Sequence, residues 1–293
     1  MRNAFVEEVS SIFFSSERVA LLLGDIGSFG FRRLLEEFPD RALNLGILEQ
    51  SMIGVGAGLA SEGMVPIIHT IAPFLVERSL EQIKVDFGYQ SLAGNLVSVG
   101  SSYDYSSLGC THHCPADINL LHNIPGVNIF VPGHVEEFRN NFRNEWNNKK
   151  LNYFRLAEKS NKLFIDVKVG EARKITSGKA ATIIVIGPIL DNVLDSISGL
   201  DVEVHYTNSI SSSYKLKLDS SFLSSKLIII EPYYSGALLQ QMQEQLESRP
   251  LQILQIGVPK EFIRKYGTRE ELTEHLQLDS RSLRKRIESF LYQ

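Results

Sequence analysis

Short apolar runs alternate with segments of helical period along the whole chain. In the first half, the runs that predict strands lie at residues 18–25, 42–47, 65–70, 95–100, 127–132 and 151–156. These runs are continuously apolar rather than alternating, which is typical of strands buried on both faces. Strands that alternate with helices indicate right-handed βαβ units. The pattern therefore predicts an α/β fold with a mostly parallel sheet and helices on both faces.

The second half repeats this alternation after a polar stretch without clear period. Further apolar runs predict strands at residues 180–187, 202–207, 226–232 and 251–257, and a helix at 235–248 between the last two. Thr268 with Glu271 forms a capping-box pattern and Asp279 is a second helix-capping residue, so the tail predicts two helices. We therefore expect two α/β domains, at 1–156 and 180–293, joined by a linker at 157–179 that contains an edge strand.

Composition and charge narrow the class of protein. The chain has 293 residues, 43% of them hydrophobic and 22% charged, which is enough for two domains with their own cores. The net charge of −4 predicts no binding to nucleic acid or to an anionic membrane. No apolar run reaches the roughly 18 residues that a spanning helix needs. The first residues make a poor signal peptide, and two cysteines make no disulfide framework. We expect a cytoplasmic enzyme or enzyme subunit.

One carboxylate stands out because of its surroundings. Glu49 is the only charge in "LNLGILEQSM" and follows a predicted buried strand, where open α/β sheets place their ligands. Two interpretations remain open from the residues alone, a helix N-terminal acid favoured by the helix dipole or a catalytic acid. The helix that follows is rich in small residues, namely Gly54, Gly56, Ala57, Gly58 and Ala60. Such a helix suggests close packing against another helix, across a subunit interface.

Several motifs, in order, make the chain similar to a known family. "GILEQ" at 46–50, "TIAPF" at 70–74 and "EQI" at 81–83 resemble the G-I-x-E-Q, T-F-x-x-F and D/E-Q-I motifs of the pyrimidine-binding domain of transketolases and deoxyxylulose-phosphate synthases. "GCTHHCPADINLLHNIPGVNIFVPG" at 109–133 is similar to the histidine loop of that family. Residues 258–279 look like its C-terminal domain. The resemblance covers nearly the whole chain.

The resemblance implies a thiamine-diphosphate site and a role for each matching residue. Glu49 would hold a nitrogen of the aminopyrimidine ring, and the cofactor would supply the carbanion chemistry. Phe74 would stack on the ring, with Ile71 in place of the first aromatic residue of the motif. His112 matches the histidine that contacts substrate in the family. Asp25 lies where many relatives carry an aspartate near the cofactor, although a turn residue at a strand end explains it equally well.

The resemblance also implies that a partner chain supplies the other half of the enzyme. Relatives bind the diphosphate through Mg²⁺ on a separate domain that this sequence lacks. Gly24 and Asp25 do not replace that site, because Asn44 is too close and Asn95 too far to supply the usual asparagine. Zinc at Cys110, His112, His113 and Cys114 is disfavoured because the residues are too bunched for one tetrahedral site. We therefore expect no metal site here, Mg²⁺ held mainly by a diphosphate-binding partner subunit, and a heterotetramer with two copies of each chain.

The substrate positions depart from the family pattern. His113 replaces a glutamine, and Glu158 stands where relatives often carry an arginine that binds a sugar phosphate. A carboxylate cannot donate hydrogen bonds to a phosphate as a guanidinium does. Asp104 would line the altered pocket, unless its loop is simply solvated. The prediction is transfer of a two-carbon ketol unit to a carbonyl acceptor, either a modified or nucleotide-linked sugar or a sugar phosphate gripped by the partner subunit.

Three alternatives stay open at the level of sequence. The chain could act like a deoxyxylulose-phosphate synthase, or it could transfer acyl groups like the beta subunit of 2-oxoacid dehydrogenases. It could also be a degenerate, non-catalytic partner subunit. The retained Glu49 and His112 favour an enzyme, while the changed substrate positions favour the non-catalytic alternative.

Overall fold

The computed structural model describes residues 1–218, 224–246 and 250–292. Within these ranges the strands are β1 (Val19–Leu23), β2 (Ala42–Asn44), β3 (Val65–Ile71), β4 (Gly94–Val99), β5 (Val127–Phe130), β6 (Leu151–Arg155), β7 (Glu171–Thr176), β8 (Ala181–Ile186), β9 (Val202–Thr207), β10 (Ser209–Ser211), β11 (Lys217–Leu218), β12 (Lys226–Tyr234) and β13 (Gln252–Val258). The α-helices are α1 (Arg2–Ser15), α2 (Arg32–Glu37), α3 (Glu49–Ser61), α4 (Leu80–Gln82), α5 (Asp117–His122), α6 (Val135–Glu145), α7 (Leu190–Ser196), α8 (Ala237–Leu246), α9 (Arg269–His275) and α10 (Ser280–Leu291).

These strands form two mostly parallel sheets. The first has the order β10-β5-β6-β4-β3-β1-β2, and its pairs are parallel except that β10 runs antiparallel to β5. The second has the order β11-β7-β9-β8-β12-β13, with β7 antiparallel to β9. The predicted α/β fold is confirmed. Strands β1, β4, β6 and β8 are buried along their whole length, as their continuous apolar runs predict.

The sequence analysis did not predict four of the described elements. The first residues form helix α1, which buries Phe5, Val9 and Phe13, although no element is predicted there. Helix α7 and strands β10 and β11 are short and lack a distinctive pattern. β10 comes from the second half of the chain yet completes the edge of the first sheet through Ile210 beside Ile129. One apolar layer accordingly contains residues from both halves.

Other predictions about helices can be checked in detail. The capping box of Thr268 and Glu271 is present at α9, and the Asp279 side chain accepts from the Ser282 amide at α10. The predicted helix at 235–248 is described as far as residue 246, so its last two residues lie outside the described ranges. In the described part of the chain, we find no helix with both the length and the apolar character needed to cross a bilayer.

Helical residues after β3 are wound more widely than an ordinary helix. The segment that the pattern predicts as one helix comprises a π-helical turn at Pro73–Glu77, the short α4, and a π-helical segment at Ile83–Tyr89. The Arg78 amide donates to the Pro73 carbonyl at 3.1 Å and closes the first wide turn. Turns of this kind occur frequently at functional sites.

Candidate functional site

The site lies where the strand order of the first sheet reverses. β1 has β2 on one side and β3 on the other, and ligands of open α/β sheets bind outside the carboxyl ends of strands at such a point. The turn after β2 requires Gly46, whose φ is 74°. Its amide donates to the Asn44 side chain at 3.1 Å, and the chain then enters α3 at Glu49. The turn therefore fixes Glu49 at this edge.

Glu49 is buried and forms one strong ion pair. Its side chain is 1% exposed, and its Oε2 accepts a hydrogen bond from Nη1 of Arg78 at 2.6 Å. Its Oε1 is also buried, and no group of the described residues hydrogen-bonds to it. A buried carboxylate oxygen normally has a partner, so this atom is available to a ligand that can donate a hydrogen bond.

Apolar residues lie at the same end of the sheet as this carboxylate. Phe74 lies on the π-helical turn, and the Arg78 guanidinium carbon is 4.3 Å from the centre of its ring. Ile71 ends β3 and is 6% exposed. Gly100, at the end of β4, has a φ of 76°, and a Cβ there would lie 3.2 Å from Ile71 and would clash with the ring of Tyr105. The absence of a side chain at Gly100 lets Tyr105 pack close to Ile71.

The histidine loop closes over the same residues. The His112 ring meets the Phe74 ring nearly edge-on, with centres 5.3 Å apart, and the Tyr105 ring at 6.0 Å. The Thr111 hydroxyl and His112 Nδ1 are hydrogen-bonded at 2.9 Å, which leaves Nε2 as the nitrogen for a ligand. The structure thus brings four predicted site residues, Glu49, Ile71, Phe74 and His112, to one end of the sheet.

His113 and Cys114 turn inward instead of toward a metal. Burial lowers the pKa of His113, so its ring is neutral at pH 7. Burial raises the pKa of Cys114 well above its usual range, so that residue remains a thiol. Among the described residues, no three of the types His, Cys, Asp and Glu are placed to share a metal ion. His113 is therefore a buried neutral ring within the histidine loop.

Asp104 has contacts that leave it little capacity for a ligand. Its Oδ2 accepts from the Ser101 hydroxyl at 2.8 Å and from the Glu158 amide at 3.0 Å. Its Oδ1 accepts from Nε of Arg269 at 2.8 Å, so Asp104 fastens the loop after β4 to α9. A substrate role stays a prediction for Asp104.

Asp25 lies at the same edge as the site but makes its own local contacts. Its amide donates to the Asn44 side chain at 3.0 Å, and its carboxylate accepts from the Asn44 side-chain amide at 3.3 Å. The Ser28 hydroxyl donates to the Asp25 carbonyl at 2.5 Å. These contacts are those of a strand-end turn residue. A role toward a cofactor stays a prediction for Asp25.

A cleft beside Tyr105 extends the site. It has a volume of about 310 Å³, and Arg2, Gly100, Tyr105 and Glu158 are among its lining residues. Burial and the negative charge of Asp104 raise the pKa of Glu158. The cleft therefore presents a cation from α1 and a carboxyl from the chain after β6. Sequence reasoning did not select Arg2, although the apolar residues Phe5, Val9 and Phe13 recur every four positions, a spacing typical of a helix.

A buried ionic network supports the histidine loop from below. Nε of Arg155 donates to Oδ2 of Asp117 at 2.6 Å, and the Tyr153 hydroxyl donates to the same oxygen at 2.7 Å. Nη2 of Arg155 donates to the Ser102 hydroxyl at 2.7 Å, and that hydroxyl donates to the Pro232 carbonyl. These contacts join β6, α5, the loop after β4 and β12. They hold the loop that carries His112 against both halves of the chain.

Sequence reasoning missed Arg78, although a signal for it exists. Arg78 follows Phe74 by four residues, a spacing that places two side chains on the same face of a helix. Its pairing with Glu49 could not be anticipated, because Glu49 comes from a different connection of the sheet. Nothing in the local sequence around Arg155 or Asp117 indicates that they pair, and only their approach across 38 positions reveals the pair.

Comparisons with known proteins agree with this geometry. The profile of the family described as "Transketolase, pyrimidine binding domain" matches residues 1–162. A protein of Rhodococcoides fascians named "Uncharacterized 33.6 kDa protein in fasciation locus" is 35% identical, over 99% of this chain and 95% of its own length. A protein of Phocaeicola vulgatus that is named as a subunit of apulose-4-phosphate transketolase is 26% identical, over 99% of this chain and 97% of its own length.

A solved structure extends the comparison to the fold. The chain described as "Split gene transketolase, inactive beta4 tetramer" superposes with a TM-score of 0.80 at 20% identity, over 99% of this chain and 97% of that chain. The superposition covers both sheets, and the profile match covers the first sheet except its edge strand β10. This protein belongs to the transketolase family, and its first 162 residues are a transketolase pyrimidine-binding domain.

Proposed function

We propose that this chain is one subunit of a thiamine-diphosphate-dependent enzyme that transfers a two-carbon ketol unit to a carbonyl acceptor. The observation that carries the proposal is Glu49, a buried carboxylate at the same end of the sheet as the apolar residues Phe74 and Ile71, with one oxygen to which no described residue hydrogen-bonds. An aminopyrimidine ring fits such a site, because it has apolar faces and an edge that hydrogen-bonds. The residues present are therefore suited to hold the cofactor.

Each residue has a distinct task in this proposal. When bound, thiamine diphosphate supplies the carbanion chemistry that amino-acid side chains lack. Glu49 holds the ring nitrogen through a shared proton, and the surrounding apolar side chains exclude water from that contact. Phe74 and Ile71 bind the ring faces. His112, with Nδ1 held by Thr111, hydrogen-bonds through Nε2 to the oxygen atoms of the substrate.

A second, different chain completes the enzyme in this proposal. The relative from Phocaeicola vulgatus is named as one subunit of a transketolase, and the name of the solved structure refers to a split gene. Ile47 and Leu48 are 67% and 59% exposed directly before Glu49, and Val55 is 42% exposed on α3. We propose that this apolar surface binds a partner subunit with a diphosphate-binding domain, which holds Mg²⁺, in a heterotetramer with two copies of each chain. A cytoplasmic location stays a prediction.

The substrate class in this proposal is a sugar. The name of the Phocaeicola vulgatus relative contains a sugar phosphate, apulose 4-phosphate. In this chain, the cleft beside Tyr105 combines the cation of Arg2 with the carboxyl of Glu158. A modified sugar with both an acidic group and hydroxyl groups would match these two side chains.

The test is reconstitution of the two-chain enzyme with a single altered side chain. We expect no turnover from the isolated chain and ketol transfer after the diphosphate-binding partner is added. Glu49→Gln should lower kcat by about 10²–10⁴-fold, the range of general acid–base contributions, without loss of helical content. The matched control is Glu37→Gln, because Glu37 also pairs with an arginine, at 2.7 Å, but lies on α2 away from the site.

Two results would contradict the proposal. Wild-type turnover by Glu49→Gln would refute the role of the carboxylate. A complex that forms but has no thiamine-dependent activity with any sugar acceptor would instead indicate the non-catalytic subunit.

A further inference from the structure

Arg78 bridges the two groups to which the aminopyrimidine would bind. Its Nη1 is 2.6 Å from Oε2 of Glu49, and its guanidinium carbon is 4.3 Å from the ring centre of Phe74. One planar cation thus pairs with the carboxylate and covers an aromatic face. Neither contact follows from the family motifs that identify Glu49 and Phe74.

The guanidinium and a ligand ring compete for the same space and for the same carboxylate. A ring stacked on this face of Phe74 needs the space that the guanidinium fills, and it needs the carboxylate to which the guanidinium is bound. In the first arrangement Glu49 accepts a hydrogen bond from the guanidinium, and in the second it shares a proton with the ring nitrogen. Arg78 therefore behaves as a stand-in for the ligand ring in the isolated chain.

The Arg78 side chain is placed so that it can move away from Glu49 into solvent. Its side chain is 37% exposed, whereas Glu49 is 1% exposed, so the cation has a route into solvent that the carboxylate lacks. A partly exposed ion pair is weak, because water and salt screen the cation. The backbone of Arg78 is held by the wide turn that Pro73 begins, so only the side chain has to move.

We propose that Arg78 is a removable cover of the pyrimidine slot, closed over Glu49 and Phe74 in the free chain and displaced when an aminopyrimidine binds. This inference rests on the proposed function, since it takes the slot to be a pyrimidine site. The cover keeps the buried carboxylate paired while the slot is empty. It also makes the isolated chain bind the ring more weakly than an open slot would.

The experiment measures binding of 4-amino-5-hydroxymethyl-2-methylpyrimidine, the pyrimidine half of thiamine, to the full isolated chain. This probe carries no diphosphate and no thiazolium charge, so the net charge of the whole protein neither attracts nor repels it. We expect Arg78→Met to bind the probe about fivefold more tightly than wild type, measured by calorimetry or ligand-observed NMR. Fivefold corresponds to about 1 kcal/mol at 25 °C.

A matched control exists in the same chain. Arg33 pairs with Glu37 at 2.7 Å and lies over the ring of Phe14 at 4.9 Å, the same three-group arrangement without a slot. Arg33→Met should leave the affinity for the probe unchanged. Adding Glu49→Gln to Arg78→Met should remove the gain, which locates the probe at this carboxylate.

The outcomes separate this inference from the proposed function. Equal or weaker binding by Arg78→Met would contradict the proposed cover and indicate that Arg78 positions Glu49. No binding of the probe at millimolar concentration would also contradict the cover. If the reconstituted enzyme then still loses activity with Glu49→Gln, the proposed function stands without the cover. If the reconstituted wild type shows no thiamine dependence either, both proposals fail.

Discussion

Two carboxylate–arginine pairs of equal length occupy opposite situations in this molecule. Glu49–Arg78 and Asp117–Arg155 both have a closest approach of 2.6 Å, and each carboxylate keeps one oxygen without a hydrogen-bond partner in the described part of the chain. The two pairs differ in the cation. Arg155 is 1% exposed and Arg78 is 37% exposed. The bond length alone therefore does not tell a fixed pair from an exchangeable one.

The surroundings decide what each pair can do. Arg155 also donates to Ser102, and Tyr153 donates to Asp117, so the interior pair is held by several elements at once. Arg78 has one carboxylate and one aromatic ring as neighbours and an open path to water. The comparison teaches that the interior pair supports the histidine loop, while the edge pair leaves its carboxylate free to change partners.

The largest expected effect comes from breaking the interior pair. Arg155→Met leaves the Asp117 carboxylate buried without its cation, and such changes typically cost 3–5 kcal/mol. We expect a loss of about 3–5 kcal/mol in the free energy of unfolding, measured by urea titration. The double variant Arg155→Met/Asp117→Leu should recover part of the loss, because it removes the orphaned charge. A single variant as stable as wild type would contradict the distinction drawn between the two pairs.

The next effect concerns pH and the interior carboxyl Glu137. Burial raises the pKa of Glu137 from 4.5 to about 7, although the Tyr206 hydroxyl and the Gly133 amide donate to it. The folded state then binds a proton that the unfolded state has released, so stability falls as pH rises from about 4.5 to 7. We expect Glu137 to contribute a fall on the order of 2 kcal/mol over this window.

Glu137→Gln isolates that contribution. Glutamine keeps an oxygen that can accept both hydrogen bonds and has no proton to lose in this range. We expect the variant to flatten the fall in unfolding free energy between pH 4.5 and 7 relative to wild type. An unchanged slope in urea titrations at a series of pH values would show that Glu137 ionises alike in the folded and unfolded chain.

A third carboxylate–arginine pair is intermediate between these two. The Arg269–Asp104 pair, at 2.8 Å, has an arginine that is 20% exposed, between Arg155 and Arg78. We expect Arg269→Met to lower the free energy of unfolding by about 1–2 kcal/mol and Arg78→Met to lower it by at most about 1 kcal/mol. Water reaches the carboxylate more easily where the arginine side chain is more exposed. Urea titrations of the three variants test this order. A loss for Arg78→Met as large as that for Arg155→Met would break it.

Much of the fold is present in local sequence patterns. Continuous apolar runs predicted the long strands of both sheets, and turn chemistry placed Gly46 and Glu49 at the end of β2. The capping box at Thr268 was predicted from two residues three positions apart. These features depend on neighbours along the chain, which is why periodicity and residue type reveal them. Strand β10 escaped prediction because its three residues gain their structure only by pairing with β5.

The candidate site likewise contains residues that local sequence selects and residues whose role depends on distant contacts. Motif order and residue type were enough to select Glu49, Ile71, Phe74 and His112, which the fold brings to one edge. Asp104 was selected in the same way, but its partner Arg269 lies 165 positions away, and that distant contact uses the carboxylate. The loop sequence contains no information about a partner so remote. The role of such a residue depends on which other segment packs against it.

The class of this protein follows from the spacing of its strands and from the motifs around Glu49 and His112. Which charged groups meet depends on the packed chain, because Glu49 and Arg78 follow different strands of the sheet and Asp117 and Arg155 are 38 positions apart. The packing also buries both residues of the Asp117–Arg155 pair but only the carboxylate of the Glu49–Arg78 pair. Burial is a property of the packed chain, and it separates a carboxylate that can exchange its partner from one that cannot.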